Sequence, residues 1–488
     1  MMRLYNTMSR KIEEFTTLEA GKVRMYTCGL TVYSHPQIGN WVSYIYSDIL
    51  TRTLRASGYA VERVQNITDV GHLVSDDDTG EDKMEKGART EGITAWDVAK
   101  KYIEISEEEG YMKLGLLRPK LVRATDLIEE QIVFVEQLEE GGYTYVIPNE
   151  GVYFDTSKLS DYGKLARLDI KGLEAGARVA VGGKKQPTDF ALWKFSPKNS
   201  NRDMEWDSPW GKGFPGWHLE CSVIARENLG NQIDIHTGGI DHIPVHHTNE
   251  IAQTETLTGK KFVNYWFHNN FMKVNGTKLS KSLGNSYTLN DIESKGFSIN
   301  AFKLLVLSSH YRTEGNFTWE IMLAAQNRLN HWLSVADQRW QVIQVEDFVN
   351  ASDLPDLASD RDQFEQTHPL TVEATKLRES ILQSLQNDLD TPTALKSIDA
   401  MMDLIDKHGM TAYLLPPFTK MLQDIQNLLG IDLFQDDITA PQKKLIAQRE
   451  AVRAEKDWSG SDALRDTLLK NKIVVKDTAR GTVWSRLR

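Results

Sequence analysis

The sequence predicts an α/β protein in which a parallel-sheet domain carries an insertion and is followed by a helical bundle and a small mixed C-terminal unit. A β-rich run at 22–28, a helical run at 41–56 and a second β-rich run at 61–66 form the pattern of a parallel βαβ unit. Gly and Lys interrupt short strand-like runs over 141–194. Three segments with helical periodicity, at 371–385, 393–408 and 418–429, predict the bundle.

The remaining elements follow in chain order. An acidic loop at 71–82 follows the second strand, and the pattern then predicts helices through Glu140. From Gly216 helices and strands return, ending in a loop around 278–285, and helices at 302–310 and 322–335 come next. An acidic, Pro-containing stretch from Glu346 to Pro369 is typical of a linker. A helix at 441–456 precedes the final mixed unit.

Composition narrows the class of protein. The 488 residues are 40% hydrophobic and 26% charged, which is typical of a folded chain with several domains. No uncharged apolar stretch reaches membrane-spanning length and no signal segment opens the chain, so we expect a cytoplasmic protein without a membrane partner. Two cysteines, Cys28 and Cys221, are too few and too distant for a disulfide scaffold. No segment resembles a dimerisation element, which predicts a monomer.

Charge is distributed unevenly along the chain. The net charge is −11, yet residues 441–488 contain twelve Lys and Arg against six Asp and Glu, a local net charge of +6. Lys and Arg displace counterions from phosphates, so this basic end is a candidate RNA-binding surface. A basic end that is merely solvated is the alternative.

One group of residues is suited to a metal ion. His246 and Glu250 are four residues apart after Pro244, so a helix that begins there places both side chains on one face. Cys221 and Cys28 supply two thiolates, and a set of two sulfurs, one nitrogen and one oxygen suits zinc. Buried free cysteines and a surface His/Glu pair are the alternative interpretation, because the spacing is not that of a zinc finger.

Two segments are suited to phosphate. The segment 278–285, Lys-Leu-Ser-Lys-Ser-Leu-Gly-Asn, offers two ammonium groups and two hydroxyls that could neutralise a triphosphate. The segment 33–41 precedes the first helix, where free N–H groups attract phosphate and Gly39 permits close approach of a nucleotide. A solvated basic turn is the alternative for the first segment.

Taken together and in this order, the motifs resemble the class I aminoacyl-tRNA synthetases, specifically the cysteinyl-tRNA synthetase family. The matching segments are Thr-Cys-Gly-Leu-Thr-Val-Tyr at 27–33, Gln-Ile-Gly-Asn at 37–40 in place of H-I-G-H, Asn-Ile-Thr-Asp-Val at 66–70, Pro-Gly-Trp-His-Leu-Glu-Cys-Ser at 215–222, Asp-Ile-His-Thr-Gly-Gly-Ile-Asp at 234–241, Lys-Leu-Ser-Lys-Ser at 278–282 in place of K-M-S-K-S, and Asp-Thr-Ala-Arg-Gly-Thr-Val-Trp at 477–484. The resemblance spans nearly the whole chain.

The resemblance implies an enzyme that activates L-cysteine with ATP, with Mg²⁺, to cysteinyl-adenylate and transfers cysteine to the 3′ end of tRNA-Cys. It implies one Zn²⁺ on Cys28, Cys221, His246 and Glu250, which selects the substrate thiolate, so that no editing domain is needed. The implied catalytic residues are Lys281, Lys278, Asn40 and Gln37. The implied ATP-binding residues are Gly39, Asn40, Gly239, Asp241 and Lys281, and the cysteine-binding residues are Cys28, Gly29, Thr68, Trp217 and His236. Trp484 and Arg480 are the implied tRNA contacts.

The resemblance also implies a domain organisation. Residues 1–120 and 216–290 are expected to form the two halves of a Rossmann-like catalytic domain, and 121–215 an inserted connective domain. Residues 291–345 would form a stem-contact region, 346–435 the linker and helical bundle, and 436–488 the basic anticodon-binding domain.

Two departures and two alternatives accompany the resemblance. Gln37 replaces the first histidine of H-I-G-H and cannot donate a charge-assisted hydrogen bond, which predicts slower activation. An acidic insertion displaces Asp82-Lys83 from the position of the family's D-D-K segment. A related ligase that condenses cysteine with an amino-sugar inositol is one alternative, although it lacks a full anticodon-binding tail. A zinc-stabilised RNA-binding module without catalysis is the other, and Lys278 and Lys281 argue against it.

Overall fold

The computed structural model describes residues 2–70, 82–168, 183–197, 202–278, 284–342, 367–478 and 481–488. The chain forms two compact units, the first made of Met1–Ser294 and Tyr311–Phe317 and the second of Lys295–His310 and Thr318–Arg488. The predicted acidic loop up to residue 81, most of the predicted linker, Lys281 and Arg480 lie outside the described residues.

The first unit combines helices with several sheets. Its strands are β1 Arg3–Asn6, β2 Lys11–Glu14, β3 Lys22–Thr27, β4 Ala60–Ile67, β5 Lys120–Arg123, β6 Thr144–Ile147, β7 Gly151–Phe154, β8 Phe190–Phe195, β9 Gly213–Pro215, β10 Ile233–Gly239, β11 Val263–Asn269, β12 Met272–Val274, β13 Thr277–Lys278 and β14 Gly315–Phe317. Its α-helices are α1 Ile38–Ala56, α2 Lys83–Glu91, α3 Ala95–Glu107, α4 Ile128–Glu140, α5 Trp217–Leu229, α6 His246–Thr258 and α7 Leu289–Ser294. A π-helical turn spans Glu108–Lys113.

A five-stranded sheet with the order β11-β10-β3-β4-β5 organises this unit, and every neighbouring pair is parallel. The predicted βαβ unit is confirmed as β3, α1 and β4. The strand order reverses between β3 and β10, and open sheets of this kind bind ligands outside the carboxyl ends of the strands at such a reversal. The predicted fold class is therefore confirmed, and the sheet indicates where a ligand site should lie.

The strand β5 corrects one expectation. The sequence pattern predicted helices throughout the stretch up to Glu140, whereas Lys120–Arg123 pairs in parallel with β4. Four residues are too few for alternation of polar and apolar side chains to be visible. Pairing with a neighbouring strand, which is a tertiary effect, forms this element.

An antiparallel sheet with the order β6-β7-β8-β9 lies in the chain between β5 and β10. Its strand-like runs were predicted from the sequence. Phe154, Phe190 and Trp193 are buried in it and belong to one apolar cluster with Phe134 of α4 and Leu219 of α5. This packing connects the inserted sheet to the helix that carries Cys221.

The second unit is mainly helical. Its α-helices are α8 Ile299–Leu307, α9 Trp319–Asp337, α10 Pro369–Gln386, α11 Thr391–His408, α12 Leu415–Leu429, α13 Ala440–Ala454 and α14 Trp458–Lys470, and its hairpin is β15 Ile473–Thr478 with β16 Gly481–Arg486. The three predicted bundle helices are confirmed as α10, α11 and α12. Trp332 is fully buried in α9 and donates a hydrogen bond to Asp399 at 2.8 Å. Among the described residues of the whole chain, no helix is long and apolar enough to cross a membrane.

Candidate active site and metal centre

The first part of the site is the chain just after β3. Cys28 is buried there, and the N–H of Gly29 donates to Asn66 Oδ1 at 2.6 Å. A Cβ on Gly29 would collide with the backbone carbonyl of Asn66, so only glycine fits this crossing of the two strand ends. The sheet thereby holds Cys28 at the carboxyl edge, where the strand order reverses.

Two helices bring three further side chains to Cys28. Cys221 lies in α5, and His246 and Glu250 lie one turn apart in α6, as the predicted helical spacing requires. All four side chains are buried. Their ligand atoms lie within 4.8 Å of one another, so the predicted metal ligands converge.

A second group shares two members with the first. Cys28 and Glu250 also lie within 4.8 Å of His236 and His247. Glu250 Oε2 lies 2.7 Å from His236 Nε2, while Glu250 Oε1 lies 2.9 Å from His246 Nε2. Glu250 Oε1 has no aligned hydrogen-bond donor among the described residues, so this carboxylate oxygen is available to an ion.

A cleft distinguishes the two groups. It has a volume of about 660 Å³, and its walls include Cys28, Cys221 and His246 but not His236, His247 or Glu250. A metal ion held by Cys28, Cys221, His246 and Glu250 would therefore border the cleft. His236 and His247 stand behind it, as hydrogen-bonding neighbours of the ligands.

Electrostatics at the centre favour the charged forms of Cys221, His246 and Glu250, whereas burial raises the pKa of the Cys28 thiol well above its usual range. Burial would raise the pKa of Cys221, but the hydrogen bond from Cys28 and the positive charge of His246 lower it to about 6. Burial opposes the charge of His246, yet the negative charges of Cys221 and Glu250 raise its pKa to about 10. Burial acts against Glu250 as well, but His236 and His246 hold its pKa well below the usual range. A thiolate and a carboxylate so stabilised are suited to a dication.

The cleft brings together most of the predicted site residues. Those that line it are Cys28, Gly29, Gln37, Gly39, Asn40, Thr68, Trp217, Cys221, Gly239, Asp241, His246 and Lys278. Of the remaining predicted residues, Glu250 and His236 are fully buried behind the wall, and Lys281 lies outside the described residues.

The N-terminus of α1 forms one wall. Gln37 precedes the helix, and its N–H donates to Asn40 Oδ1 at 2.9 Å. The Asn40 side chain is exposed, and Gly39 leaves the first turn open. The free N–H groups of a helix N-terminus attract phosphate, so this wall suits a nucleotide.

The end of β10 forms another wall of the cleft. A Cβ on Gly238 would lie 2.6 Å from His247 Cε1 and 2.7 Å from His242 Nδ1, and a Cβ on Gly239 would collide with Asp241. Gly238 is therefore needed for the chain to pass His242 and His247. Burial lowers the pKa of His242 to about 4, so this cleft residue is uncharged near neutral pH.

Two residues predicted to bind cysteine, Thr68 and Trp217, line the cleft together with the candidate metal ligands Cys28, Cys221 and His246. Thr68 is buried and its hydroxyl accepts a hydrogen bond from Asn66 Nδ2 at 2.9 Å. Trp217 stacks on His246 with ring centroids 4.3 Å apart. An aromatic face and a hydroxyl thus lie close to the candidate metal ligands.

Sequence reasoning missed Lys83, which lines the cleft. Asp82 receives backbone hydrogen bonds at the start of α2 and pairs with Arg202 at 2.6 Å, which positions the adjacent lysine. Lys83 Nζ lies 5.5 Å from the centre of the Tyr33 ring. The signal was present in the displaced Asp-Lys pair, but the acidic insertion concealed its place in the fold.

Within residues 436–488, Trp484 and Trp458 differ in their exposure to solvent. Trp484 is only 5% exposed and packs in a cluster with Ile446, Leu468 and Ile473. This burial leaves the indole little surface with which to contact RNA, while the other predicted contact, Arg480, lies outside the described residues. Trp458, by contrast, is 60% exposed.

Comparisons with known proteins were made for the whole chain. The family model described as "tRNA synthetases class I (C) catalytic domain" matches residues 14–327, and the one described as "Cysteinyl-tRNA ligase anticodon binding domain" matches residues 435–484. A cysteine–tRNA ligase 1 from Burkholderia lata is 43% identical, over 98% of this chain and 96% of its own length. A cysteine–tRNA ligase from Treponema denticola is 37% identical, over 100% of both chains.

Solved structures show the same fold at much lower identity. A methionyl-tRNA synthetase from Mycobacterium tuberculosis in complex with methionyl-adenylate has a TM-score of 0.58 and 12% identity, with 84% of this chain and 92% of that chain covered. A putative arginyl-tRNA synthetase from Campylobacter jejuni has a TM-score of 0.54 and 13% identity, with 87% and 95% covered.

Proposed function

We propose, since this chain belongs to the cysteine–tRNA ligase family of the class I aminoacyl-tRNA synthetases, that Cys28, Cys221, His246 and Glu250 hold a zinc ion that selects cysteine by its thiol. The enzyme activates L-cysteine with ATP and charges tRNA-Cys with it. The observation that carries the zinc proposal is the convergence of four buried ligand atoms at the wall of the cleft.

The donor set fits zinc better than the other common metal ions. Two sulfurs, one imidazole and one carboxylate suit zinc, whereas Mg²⁺ and Ca²⁺ prefer oxygen ligands throughout. When bound, zinc supplies a Lewis acid that lowers the pKa of a substrate thiol and bonds its sulfur. The hydroxyl of serine and the methyl of alanine cannot replace that bond, so selection exceeds the ~1–3 kcal/mol that shape alone provides.

The protein groups around the centre would orient the amino acid. Thr68 and Trp217 line the cleft beside Cys221. There they would contact the main-chain atoms of the substrate cysteine and exclude water from its thiol. His236 donates to Glu250 from behind, so its role would be to orient a ligand rather than to contact substrate. This assigns His236 to the support of the pocket.

The nucleotide would lie between the two walls of the cleft. The N-terminus of α1, with Gly39 and Asn40, suits the phosphates, and Gly239 with Asp241 suits the ribose side. The cysteine carboxylate would attack the α-phosphorus of MgATP, and pyrophosphate would leave. Lys278 lines the same cleft and would stabilise the leaving group together with Lys281.

The second step uses tRNA. A terminal hydroxyl of the tRNA adenosine would attack the carbonyl carbon of the adenylate, and AMP would leave. We assign recognition of the tRNA anticodon to residues 436–488, which coincide closely with the matched anticodon-binding family model. That match also supports tRNA as the acceptor over the amino-sugar inositol of the related ligase.

A paired assay tests this function. Zinc-loaded protein should catalyse cysteine-dependent ATP–pyrophosphate exchange and should charge tRNA-Cys, with serine and alanine giving background exchange. Removal of zinc should raise the cysteine KM far more than the ATP KM. Exchange without tRNA charging would favour the amino-sugar ligase, and absence of exchange would refute the proposed activity.

A further inference from the structure

A chain of hydrogen-bonding contacts leads from Cys28 away from the cleft. Cys28 Sγ lies 3.3 Å from His247 Nε2, and His247 Nδ1 lies 2.7 Å from His268 Nε2. His268 Nδ1 lies 2.8 Å from the hydroxyl oxygen of Thr7. The four residues come from the segment after β3, from α6, from β11 and from the turn after β1, and all are buried.

The far end of this chain is a single hydroxyl. Within the described part of the protein, Thr7 Oγ1 has His268 Nδ1 as its hydrogen-bond partner and no other. The backbone N–H of Thr7 donates to the carbonyl of Trp266 at 2.9 Å, which holds the turn against β11. The hydroxyl is therefore fixed where it can donate to the imidazole.

The number of available hydrogens decides the direction of the bonds. Each contact between two heavy atoms accommodates one hydrogen, and a neutral imidazole has one N–H and one lone pair. With zinc bound, Cys28 would be a thiolate, and the hydroxyl and the two neutral imidazoles would then supply one hydrogen for each of the three contacts. All three contacts are then satisfied only if Thr7 donates to His268, His268 Nε2 donates to His247, and His247 Nε2 donates to Cys28.

The reverse direction is unfavourable for a thiolate. If His247 carried its proton on Nδ1, its Nε2 lone pair would face the negative sulfur at 3.3 Å. The Thr7 hydrogen would also have to leave the buried contact. A thiolate ligand and this chain of contacts therefore select one arrangement of protons.

We propose that Thr7, His268 and His247 form a positioning relay that directs an N–H at the Cys28 thiolate and keeps His247 out of the metal's ligand set. The relay rests on the proposed zinc site. Two thiolates and a carboxylate place three negative charges around a dication, and a donor to one sulfur offsets the excess. In this arrangement the proton on Nε2 excludes His247 as a ligand, although His247 converges with Cys28, His236 and Glu250 within the same 4.8 Å as the four proposed ligands.

A tautomer measurement tests the relay directly. In zinc-loaded protein labelled with ¹⁵N-histidine, long-range proton–nitrogen correlation spectra should show His247 and His268 both protonated on Nε2. The His268→Gln variant would assign the signals. A proton on Nδ1 of His247 would overturn the relay, because that tautomer leaves Nε2 free to bind the metal.

Zinc affinity provides an independent test on the residue furthest from the ion. Competition with a chelator should show about 10-fold weaker zinc binding in Thr7→Val, at the low end of the effect of such supporting residues, and near wild-type binding in Thr7→Ser. Thr51→Val is the matched control, because it removes a buried hydroxyl that donates to Ser47 O at 2.7 Å away from the relay. It should leave zinc affinity unchanged.

The outcomes separate the relay from the proposed function. Thr7→Val that binds zinc as tightly as wild type, or Thr7→Ser that weakens zinc as much as Thr7→Val, would overturn the relay alone. Wild-type protein that binds no zinc would overturn the relay and the zinc proposal together.

Discussion

Trp484 and Trp458 offer a matched pair for testing how the C-terminal unit works. Trp484→Ala removes an indole that is only 5% exposed and packs against Ile446, Leu468 and Ile473. Replacement of a buried aromatic side chain by alanine costs about 3–5 kcal/mol. We expect the C-terminal unit to unfold at lower urea concentration, with tRNA charging lost and cysteine-dependent exchange retained.

Trp458→Ala should behave in the opposite way. Its indole is 60% exposed, and the Arg453 guanidinium lies 5.8 Å from its ring, which is the arrangement of a base-stacking platform. Loss of one stacked base costs about 1–3 kcal/mol, so the tRNA KM should rise by about 5- to 150-fold without a change in the urea midpoint. Equal destabilisation by the two substitutions would refute the distinction between a packing and a contacting tryptophan. Trp484→Phe, which keeps an aromatic core, should restore most of the charging.

Three further predictions follow from the site and from the ion pairs. Cys221→Ser should lose zinc and raise the cysteine KM much more than the ATP KM, and equal effects on both would indicate a folding defect instead. Gln37→His should speed ATP–pyrophosphate exchange by about fivefold at a pH where the imidazole is charged, because a charge-assisted hydrogen bond to phosphate adds about 1 kcal/mol. If the variant gains no rate at low pH, residue 37 does not contact a phosphate. The hydrogen bonds from Arg449 hold the pKa of Asp477 well below its usual range. The ionised carboxylate therefore stabilises the folded state at pH values above its unfolded pKa of about 4. This stabilisation is lost as the pH falls through the pKa of the folded state. Urea unfolding of Asp477→Asn at several pH values should show that this part of the acid sensitivity is lost, and an unchanged pH profile would contradict it.

The fold was largely predictable because its main elements carry strong local patterns. The βαβ unit of β3, α1 and β4 and the bundle helices α10 to α12 have long periodic runs, which determine element type. The strand β5 was not predictable in this way, because four residues form a strand only through pairing with β4. Local sequence patterns therefore predicted most of the architecture. The exception, β5, forms only through tertiary pairing with β4.

Some positions in the site were likewise predictable from sequence, and others depend on the packing of the fold. Helical spacing predicted that His246 and Glu250 share a face, but nothing in the spacing of Cys28 and Cys221 could show that the strand order would bring them together. The position of His236 behind Glu250, rather than on the cleft, depends on how β10 passes α6. Resemblance identified the residues, and packing distinguishes which of them reach the cleft.

Whether Trp484 and Lys83 reach a functional surface depends on burial, which the sequence alone did not predict. A tryptophan in a basic C-terminal segment suggests an RNA contact, yet the hairpin of β15 and β16 turns Trp484 into the core. Lys83 shows the converse, since the sequence identified the displaced Asp-Lys pair but did not assign Lys83 to the site, and Lys83 lines the cleft. In both cases the side chain's direction follows from packing between elements that are distant in sequence.

X-ray absorption at the zinc edge tests the central claim most directly. We predict one zinc ion per chain, bonded at about 2.3 Å to two sulfur atoms, those of Cys28 and Cys221. A third sulfur neighbour should appear when cysteine is added but not when serine is added. A sulfur count that stays the same with cysteine would contradict selection of the substrate by direct binding of its thiolate to zinc.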